Sequence, residues 1–94
     1  MSKTINELIV KHLHLAQSAA YLKSKNVPNR VWIEELISAA YMGLVEAAHR
    51  YDGSVPFEGY ALYRINGEMS DYLRSLSMSG RSKIVKFQSL ENVA

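Results

Sequence analysis

Residues 57 to 76 carry apolar side chains at the spacing of an α-helix, and this pattern constrains the fold more than any other feature of the chain. At about 100° per residue, one side of such a helix becomes a continuous apolar stripe. Its members are Ala61, Leu62, Ile65, Met69, Tyr72, Leu73 and Leu76. A helix with one apolar side is stable in water mainly through packing of that side. The pattern therefore predicts a helix that packs against other amphipathic helices.

The opposite side of this helix carries aromatic and charged residues, and we call it the outer face. Its members are Tyr60, Tyr63, Gly67, Ser70, Asp71 and Arg74, with Arg64 at the margin. Tyrosines are ordinary on protein surfaces, so the two rings alone leave a functional and a bland interpretation open. Glycine inside a helix costs roughly 0.5 to 1 kcal/mol relative to alanine. Gly67, at the centre of this face, therefore indicates close approach of a ligand to the backbone.

Two further amphipathic segments precede this helix. Thr4 and Glu7 match a capping box, and a first helix is predicted from about residue 5 to residue 24, ended by the Asn-Val-Pro-Asn turn at 26–29. A second helix is predicted over residues 33–50. Pro56 suits the first position of the third helix, and the Ser-Met-Ser-Gly sequence at 77–80 is expected to end it.

Apolar residues line one side of both earlier helices. In the first they are Ile5, Leu8, Ile9, Leu15, Ala16, Ala19 and Ala20, with His12 among them, and in the second Ile33, Leu36, Ile37, Ala40, Leu44, Ala47 and Ala48. No strand pattern competes with the helical one. The predicted fold is all-α: a small bundle of three main helices plus a short basic C-terminal segment. Residues 1–87 form its one domain, and residues 88–94 begin a linker or tail.

Charge is unevenly distributed, although the net charge of the 94 residues is only +2. From Arg74 to Phe87 there are four cations and no acid, and these cations are Arg74, Arg81, Lys83 and Lys86. A basic segment after an aromatic face fits contact with nucleic acid, and a solvated tail is the alternative. The chain lacks a run of about 18 apolar residues, a signal-peptide pattern and cysteine. We therefore expect a cytoplasmic protein without a membrane partner.

Enzymatic interpretations find little support. His12 and His14, two apart on a helix, would point about 200° apart and could not share a metal ion. Glu46 and His49 supply only one of the two Glu-x-x-His elements that a di-iron bundle needs. No serine, histidine and acid suggest a triad. We therefore expect no catalytic residue, metal site or cofactor, which leaves a binding module as the leading class.

The ligand of this module follows from its side chains. Tyrosines beside arginine stack unpaired bases, at roughly 1 to 3 kcal/mol per base, whereas duplex reading would require more amide and basic side chains. The residues therefore favour single-stranded or melted nucleic acid. The second helix also carries a partly acidic face, made up of Glu35, Ser38, Ala39, Met42, Glu46 and His49. An exposed methionine adapts to varied partners, so this face is either a protein-docking surface or a solvated helix surface.

The chain resembles region 2 of bacterial sigma factors, most closely the flagellar and alternative type. The resemblance is carried by Glu35-Leu36-Ile37, Gly43 to Ala48, Arg50-Tyr51-Asp52, Phe57 to Ala61, Arg64 to Met69 and Asp71 to Arg74. It covers residues 6 to about 85 and implies the sigma region 2 fold. It also implies a transcription initiation factor domain that binds core RNA polymerase and captures the non-template strand of the minus-ten promoter element.

The resemblance implies two sets of site residues. Contact with promoter DNA would involve Tyr51, Asp52, Phe57, Tyr60, Tyr63, Arg64, Gly67, Arg74, Arg81 and Lys83. Docking on the coiled coil of the largest polymerase subunit would involve Glu35, Ser38, Ala39, Met42 and Glu46. The resemblance also allows an anti-sigma factor as a partner.

Two alternatives stay open. The chain could be a sigma-like interaction module, either a decoy that occupies the polymerase docking site or a regulator, that does not read promoters. Sigma factors normally continue into further domains, so the chain is either an excised domain or a minimal sigma protein.

Overall fold

The computed structural model describes residues 2–27 and 31–83, with side chains for residues 4–27 and 31–76. Four helices follow one another along the chain: α1 (Ser2–Lys11), α2 (Leu13–Ser24), α3 (Ile33–Arg50) and α4 (Phe57–Lys83). The described residues form no strand. The predicted all-α fold class is confirmed, and α3 has the predicted bounds. Pro28 and Asn29 of the predicted turn, and the predicted linker at 88–94, lie outside the described residues.

The single first helix that the sequence predicts is divided at His12. The backbone there leaves helical geometry, with φ −116° and ψ 15°. The His12 ring Nδ1 lies 2.8 Å from the carbonyl oxygen of Leu8, which the backbone N–H of residue 12 would contact in a continuous α-helix. That N–H instead donates to Ile9, at 3.1 Å. At the break, the His12 side chain therefore takes the place of its own backbone N–H at the Leu8 carbonyl.

Two predicted helix ends are wrong. Helix α1 begins at Ser2, so Thr4 lies in its first turn and does not cap it; a cap contributes only about 1 kcal/mol and does not fix an end alone. Helix α4 continues through residues 77–80 to Lys83. A helix interior tolerates one glycine at a cost of about 1 kcal/mol, and helix propagation is cooperative. The Ser-Met-Ser-Gly sequence at 77–80 contains no proline, and it therefore does not end the helix.

The start of α4 differs from the prediction by one residue. Phe57 is the first helical residue, and Pro56 stands just before it. The backbone N–H of Tyr60 donates to the Pro56 carbonyl oxygen at 3.3 Å. Pro56 therefore occupies the capping position, where a missing N–H costs nothing because no helix carbonyl precedes it.

One apolar core is formed by α2, α3 and α4, and α1 packs against it through Ile5, Leu8 and Ile9. It contains most members of the predicted stripes. Its buried members are Leu15, Ala16, Ala20, Leu36, Ala40, Leu44, Ala47, Ala48, Phe57, Ala61, Ile65 and Met69. Of the remaining α4 stripe residues, Leu62, Tyr72 and Leu73 are partly buried and pack against it, and Leu76 is partly buried. Full burial of a Leu, Ile or Met side chain contributes about 1.5–3 kcal/mol. The core therefore fixes which side of α4 faces solvent.

The backbones of helices α3 and α4 lie close together at Gly43. A Cβ atom at this position would lie 2.6 Å from the Cα of Ile65 and 2.7 Å from the carbonyl oxygen of Arg64. Both neighbours are backbone atoms, so a side chain at residue 43 would displace α4 itself. We call the contact around Gly43 and Ile65 the α3–α4 seam. No helix in the described part of the chain is both long and apolar enough to cross a membrane.

Candidate nucleic-acid interface

The turn between α3 and α4 is braced by its own side chains. Asp52 Oδ1 accepts hydrogen bonds from the Ser54 hydroxyl at 2.7 Å and from the Ser54 backbone N–H at 2.9 Å. These bonds, the hydroxyl first, hold the pKa of Asp52 below its usual value. Gly53 has φ +85°, a conformation that glycine adopts without strain. The Tyr51 hydroxyl donates to the Val55 carbonyl at 2.5 Å, so the turn also fixes the Tyr51 ring.

Three aromatic rings meet where this turn enters α4. The Tyr51 ring stacks on Tyr60, with centroids 6.1 Å apart, and meets Phe57 edge-on at 5.0 Å. The His12 ring also meets Phe57 edge-on, with centroids 4.8 Å apart. Phe57 itself is only 8% exposed. The structure therefore places Phe57 in the core, beneath the two tyrosines, and not on the surface that a ligand would reach.

The outer face of α4 is open to solvent at its centre. Tyr63 is 74% exposed, and Tyr60 is half-buried, packed against the core and stacked on Tyr51. A Cβ atom on Gly67 would meet nothing within 4 Å. Nothing in the described chain therefore explains the glycine, and its role in approach of a ligand stays a prediction. Exposed Arg74 pairs with Asp71 at 2.8 Å.

Arg64 bridges α4 and α3. Its Nη2 lies 2.7 Å from Oε1 of Glu46, with the two side chains 28% and 38% exposed. The resemblance to sigma factors implies different surfaces for these residues, the DNA contact for Arg64 and the polymerase contact for Glu46. The structure brings them together at the α3–α4 seam.

Glu68, which is not among the predicted site residues, lies near the same ion pair, four residues after Arg64 on α4. Burial, followed by the negative charges of Glu46 and Asp71, raises the pKa of Glu68, and the Arg64 guanidinium opposes this only in part. The spacing of Arg64 and Glu68, four residues apart on one helix, was a signal for their proximity. That spacing does not predict the contact with Glu46, because Glu46 lies on a different helix.

The proposed docking face of α3 is partly exposed. Glu35, Ser38 and Met42 lie at the surface, and Met42 is 56% exposed. Glu35 also accepts a hydrogen bond from the Tyr72 hydroxyl of α4. Ala39, in contrast, is half-buried and packs against the core. The accessible part of this face therefore contains the Glu35 carboxylate, a hydroxyl and a thioether, together with the partly exposed Glu46 carboxylate and the exposed His49 ring.

The remaining predicted residues lie near the C-terminal end of α4. Arg81 and Lys83 are on its last turns, where the structure describes only the backbone.

The predicted angle of about 200° between the His12 and His14 side chains is wrong. Their rings stack with centroids 6.4 Å apart, because the helix breaks at His12. Among the described residues, no three His, Asp or Glu side chains are grouped as metal ligands.

Comparison with known proteins gives consistent matches. The family model described as Sigma-70 region 2 matches residues 8–78. The RNA polymerase sigma factor FliA of Pseudomonas aeruginosa is 37% identical over 78 residues, which cover 81% of this chain and 32% of the relative. FliA of Yersinia enterocolitica is 34% identical over 79 residues, or 82% and 34% of the two chains. FliA of Escherichia coli K12 is 34% identical over 74 residues, or 77% and 31%.

The matched segment is a minor part of these relatives. The chain spans 32%, 34% and 31% of their respective lengths. No solved structure matches the chain.

Proposed function

This chain belongs to the sigma-70 region 2 family, and from that premise we propose that it docks on core RNA polymerase and captures the non-template strand of a melted minus-ten promoter element. It acts as a binding module without a catalytic step. The observation that carries the proposal is the ring arrangement at the start of α4. There Tyr63 is 74% exposed, on the same helix as Tyr60, which is stacked on Tyr51.

This arrangement suits capture of an unpaired base. Taking a base out of a duplex costs a few kcal/mol, and stacking on an aromatic side chain returns roughly 1 to 3 kcal/mol per base. Tyr60 is already held in place by Tyr51 and by the turn that braces it. A ring that is fixed before binding loses little conformational entropy on binding. Tyr60 and Tyr63 together can therefore offset the cost of base flipping.

The docking partner would meet α3. Glu35, Ser38 and Met42 lie exposed on this helix, whose other side is anchored by fully buried Leu36 and Leu44. A rigid helix with an adaptable methionine and a carboxylate suits a helical partner with complementary basic groups. The largest polymerase subunit, through its coiled coil, is the proposed partner.

The test is a fluorescence-anisotropy titration with minus-ten non-template, template and scrambled oligonucleotides, with and without core polymerase. Wild type should prefer the non-template strand. The double variant Tyr60→Ala/Tyr63→Ala should bind at least about tenfold more weakly, because two stacking contacts are lost. Tyr21→Ala is the matched control, since Tyr21 is 59% exposed on α2 and lies outside the proposed site. Equal affinity of the double variant and wild type would reject strand capture.

The alternative is a polymerase-docking module that does not read promoters. Two observations favour it: Phe57 is buried, and the Tyr51 hydroxyl is already bound to the Val55 carbonyl. Of the four aromatic residues predicted to contact DNA, only Tyr63 is therefore fully open to solvent. Pull-down of polymerase by wild type and by the double tyrosine variant, with no strand preference in either, would select this alternative. Met42→Ala should weaken the pull-down under both hypotheses.

A further inference from the structure

The Arg64–Glu46 ion pair lies where the two proposed surfaces meet. Glu46 is one helical turn after Met42, and at 100° per residue it is rotated about 40° around α3. That rotation carries its carboxylate from the exposed face to the seam, where Oε1 lies 2.7 Å from Arg64 Nη2. The Glu46 side chain is 38% exposed, whereas Met42 is 56% exposed. Glu46 is therefore oriented towards α4 and its basic margin.

The close approach of the helices creates this contact. Gly43 is three residues before Glu46, so the two lie on neighbouring parts of the same side of α3. At Gly43 the α3 backbone lies against the backbone of Arg64 and Ile65. The close approach shortens the distance that the Glu46 and Arg64 side chains have to span between the two helices. The contact is thus part of the packed seam and differs from a mobile surface pair.

We infer that Glu46 is a positioning residue of the nucleic-acid interface, whose carboxylate holds the Arg64 guanidinium at the edge of the outer face towards an unpaired base. The inference rests on the proposed function. A guanidinium has five N–H donors in a rigid fork, so the bond to Glu46 leaves donors for a second partner. An arginine already held by a carboxylate also loses less side-chain entropy when it binds.

The local charge indicates which part of the nucleic acid Arg64 meets. Glu46 pairs with Arg64 at 2.7 Å, and Glu68 lies one helical turn after Arg64 on α4, so two carboxylates lie near one guanidinium. This cluster is not favourable for a phosphate, which is anionic. A neutral base edge or ring still gains from the N–H donors and the flat guanidinium surface. Arg64 therefore contributes to base recognition. Arg74 is the better candidate for a phosphate contact, because its carboxylate partner, Asp71, forms a pair whose side chains are both about two-thirds exposed and which solvent weakens.

A double-mutant cycle on the full 94-residue chain tests the inference. The variants are Glu46→Ala, Arg64→Ala and the double variant, with Arg74→Ala for comparison. Affinity for the non-template minus-ten and scrambled oligonucleotides is measured by anisotropy at several salt concentrations. Glu46→Ala should lower the preference for the minus-ten strand about fivefold in wild type, and it should have no further effect once Arg64 is alanine.

Salt dependence separates base contact from phosphate contact. Arg64→Ala should leave the slope of log affinity against log salt unchanged, whereas Arg74→Ala should reduce the slope by about one. Glu46→Gln keeps an oxygen that can accept from Arg64, so it should restore part of the strand preference that Glu46→Ala loses. Circular dichroism of each variant checks that the helices are retained.

Several outcomes would overturn the inference. If Glu46→Ala strengthens binding to both oligonucleotides equally, the carboxylate only repels DNA. If Glu46→Ala weakens polymerase pull-down and leaves strand preference intact, Glu46 is a docking residue. If wild type shows no strand preference at all, the proposed function fails together with this inference. If wild type prefers the minus-ten strand but the effects of Glu46→Ala and Arg64→Ala simply add, this inference fails and the proposed function stands.

Discussion

Helix α4 packs in different ways against its two neighbours, α3 and α2. On the α3 side the backbones meet at Gly43, and side chains cross the seam as the Arg64–Glu46 and Tyr72–Glu35 contacts. On the α2 side an open groove of about 420 Å³ remains, lined by residues of both helices. Leu22, in its wall, is 61% exposed. One helix thus has a tight side and a loose side.

The difference explains where the proposed functional residues lie. The turn that holds Tyr51 and the contact that holds Arg64 both connect α4 to α3. Backbone contact at Gly43 restricts rotation and sliding of α4, because neither backbone can yield locally. The rings of the outer face therefore keep a defined position relative to the docking face. The α2 side has no such backbone contact among the described glycines, and its groove leaves room for adjustment.

The largest expected effect on the free energy of unfolding comes from a cavity on the α3 side of α4. Ile65→Ala removes a fully buried side chain that lies on the seam, and should lower the free energy of unfolding by about 2–5 kcal/mol. Leu22→Ala, on the groove side, should change it by no more than about 0.5 kcal/mol. Urea unfolding followed by circular dichroism measures both. Similar losses for the two variants would contradict the contrast between the sides.

A pair of glycine substitutions sharpens the same contrast. Gly43→Ala places a Cβ atom 2.6 Å from the Ile65 Cα, and should destabilise the protein by about 1–3 kcal/mol despite the higher helix propensity of alanine. Gly67→Ala meets open space and should stabilise it by about 0.5–1 kcal/mol. Thermal unfolding should therefore show a lower melting temperature for Gly43→Ala and a higher one for Gly67→Ala than for wild type. If Gly67→Ala also weakens binding of the minus-ten strand, the predicted close approach at Gly67 is supported; unchanged binding argues against it.

The smallest effect concerns the carboxylates at the seam. Because the pKa of Glu68 is raised in the folded protein, the folded state binds a proton more tightly than the unfolded state. Stability therefore falls as pH rises through that pKa. Glu68→Gln should be more stable than wild type at pH 7, by less than about 1 kcal/mol. The difference should vanish below the ordinary glutamate pKa, which urea unfolding at pH 7 and at pH 3.5 would show. A less stable variant at pH 7 would mean that attraction to Arg64 dominates.

The sequence predicted the elements whose signal is local. The apolar spacing identified the buried sides of α3 and α4, and Ile65 and Met69 are completely buried as expected. The same spacing left Tyr63 on the exposed side. It did not identify the burial of Phe57, because that burial depends on tertiary contacts with Tyr51, from the turn before α4, and with His12, from the break between α1 and α2.

Helix ends were the least predictable local feature. His12 breaks the first helix through a side-chain contact with a carbonyl, and a helical periodicity of apolar residues continues across such a break without a signal. At the other end, the Ser-Met-Ser-Gly sequence suggested a stop, yet α4 runs to Lys83. Both errors involve contributions of about 1 kcal/mol, which cooperative propagation or a single competing hydrogen bond can override.

The sequence by itself determined the helical class, the side of each helix that is buried, and the outer face of Tyr60, Tyr63, Gly67 and Arg74. These properties follow from the periodicity of side chains along one helix, which needs no knowledge of the neighbours. Only the tertiary structure decided that Gly43 lets α3 and α4 touch, and that Glu46 meets Arg64 across that contact. Such pairs join residues 18 or more positions apart, whose proximity is set by helix packing and not by spacing along the chain.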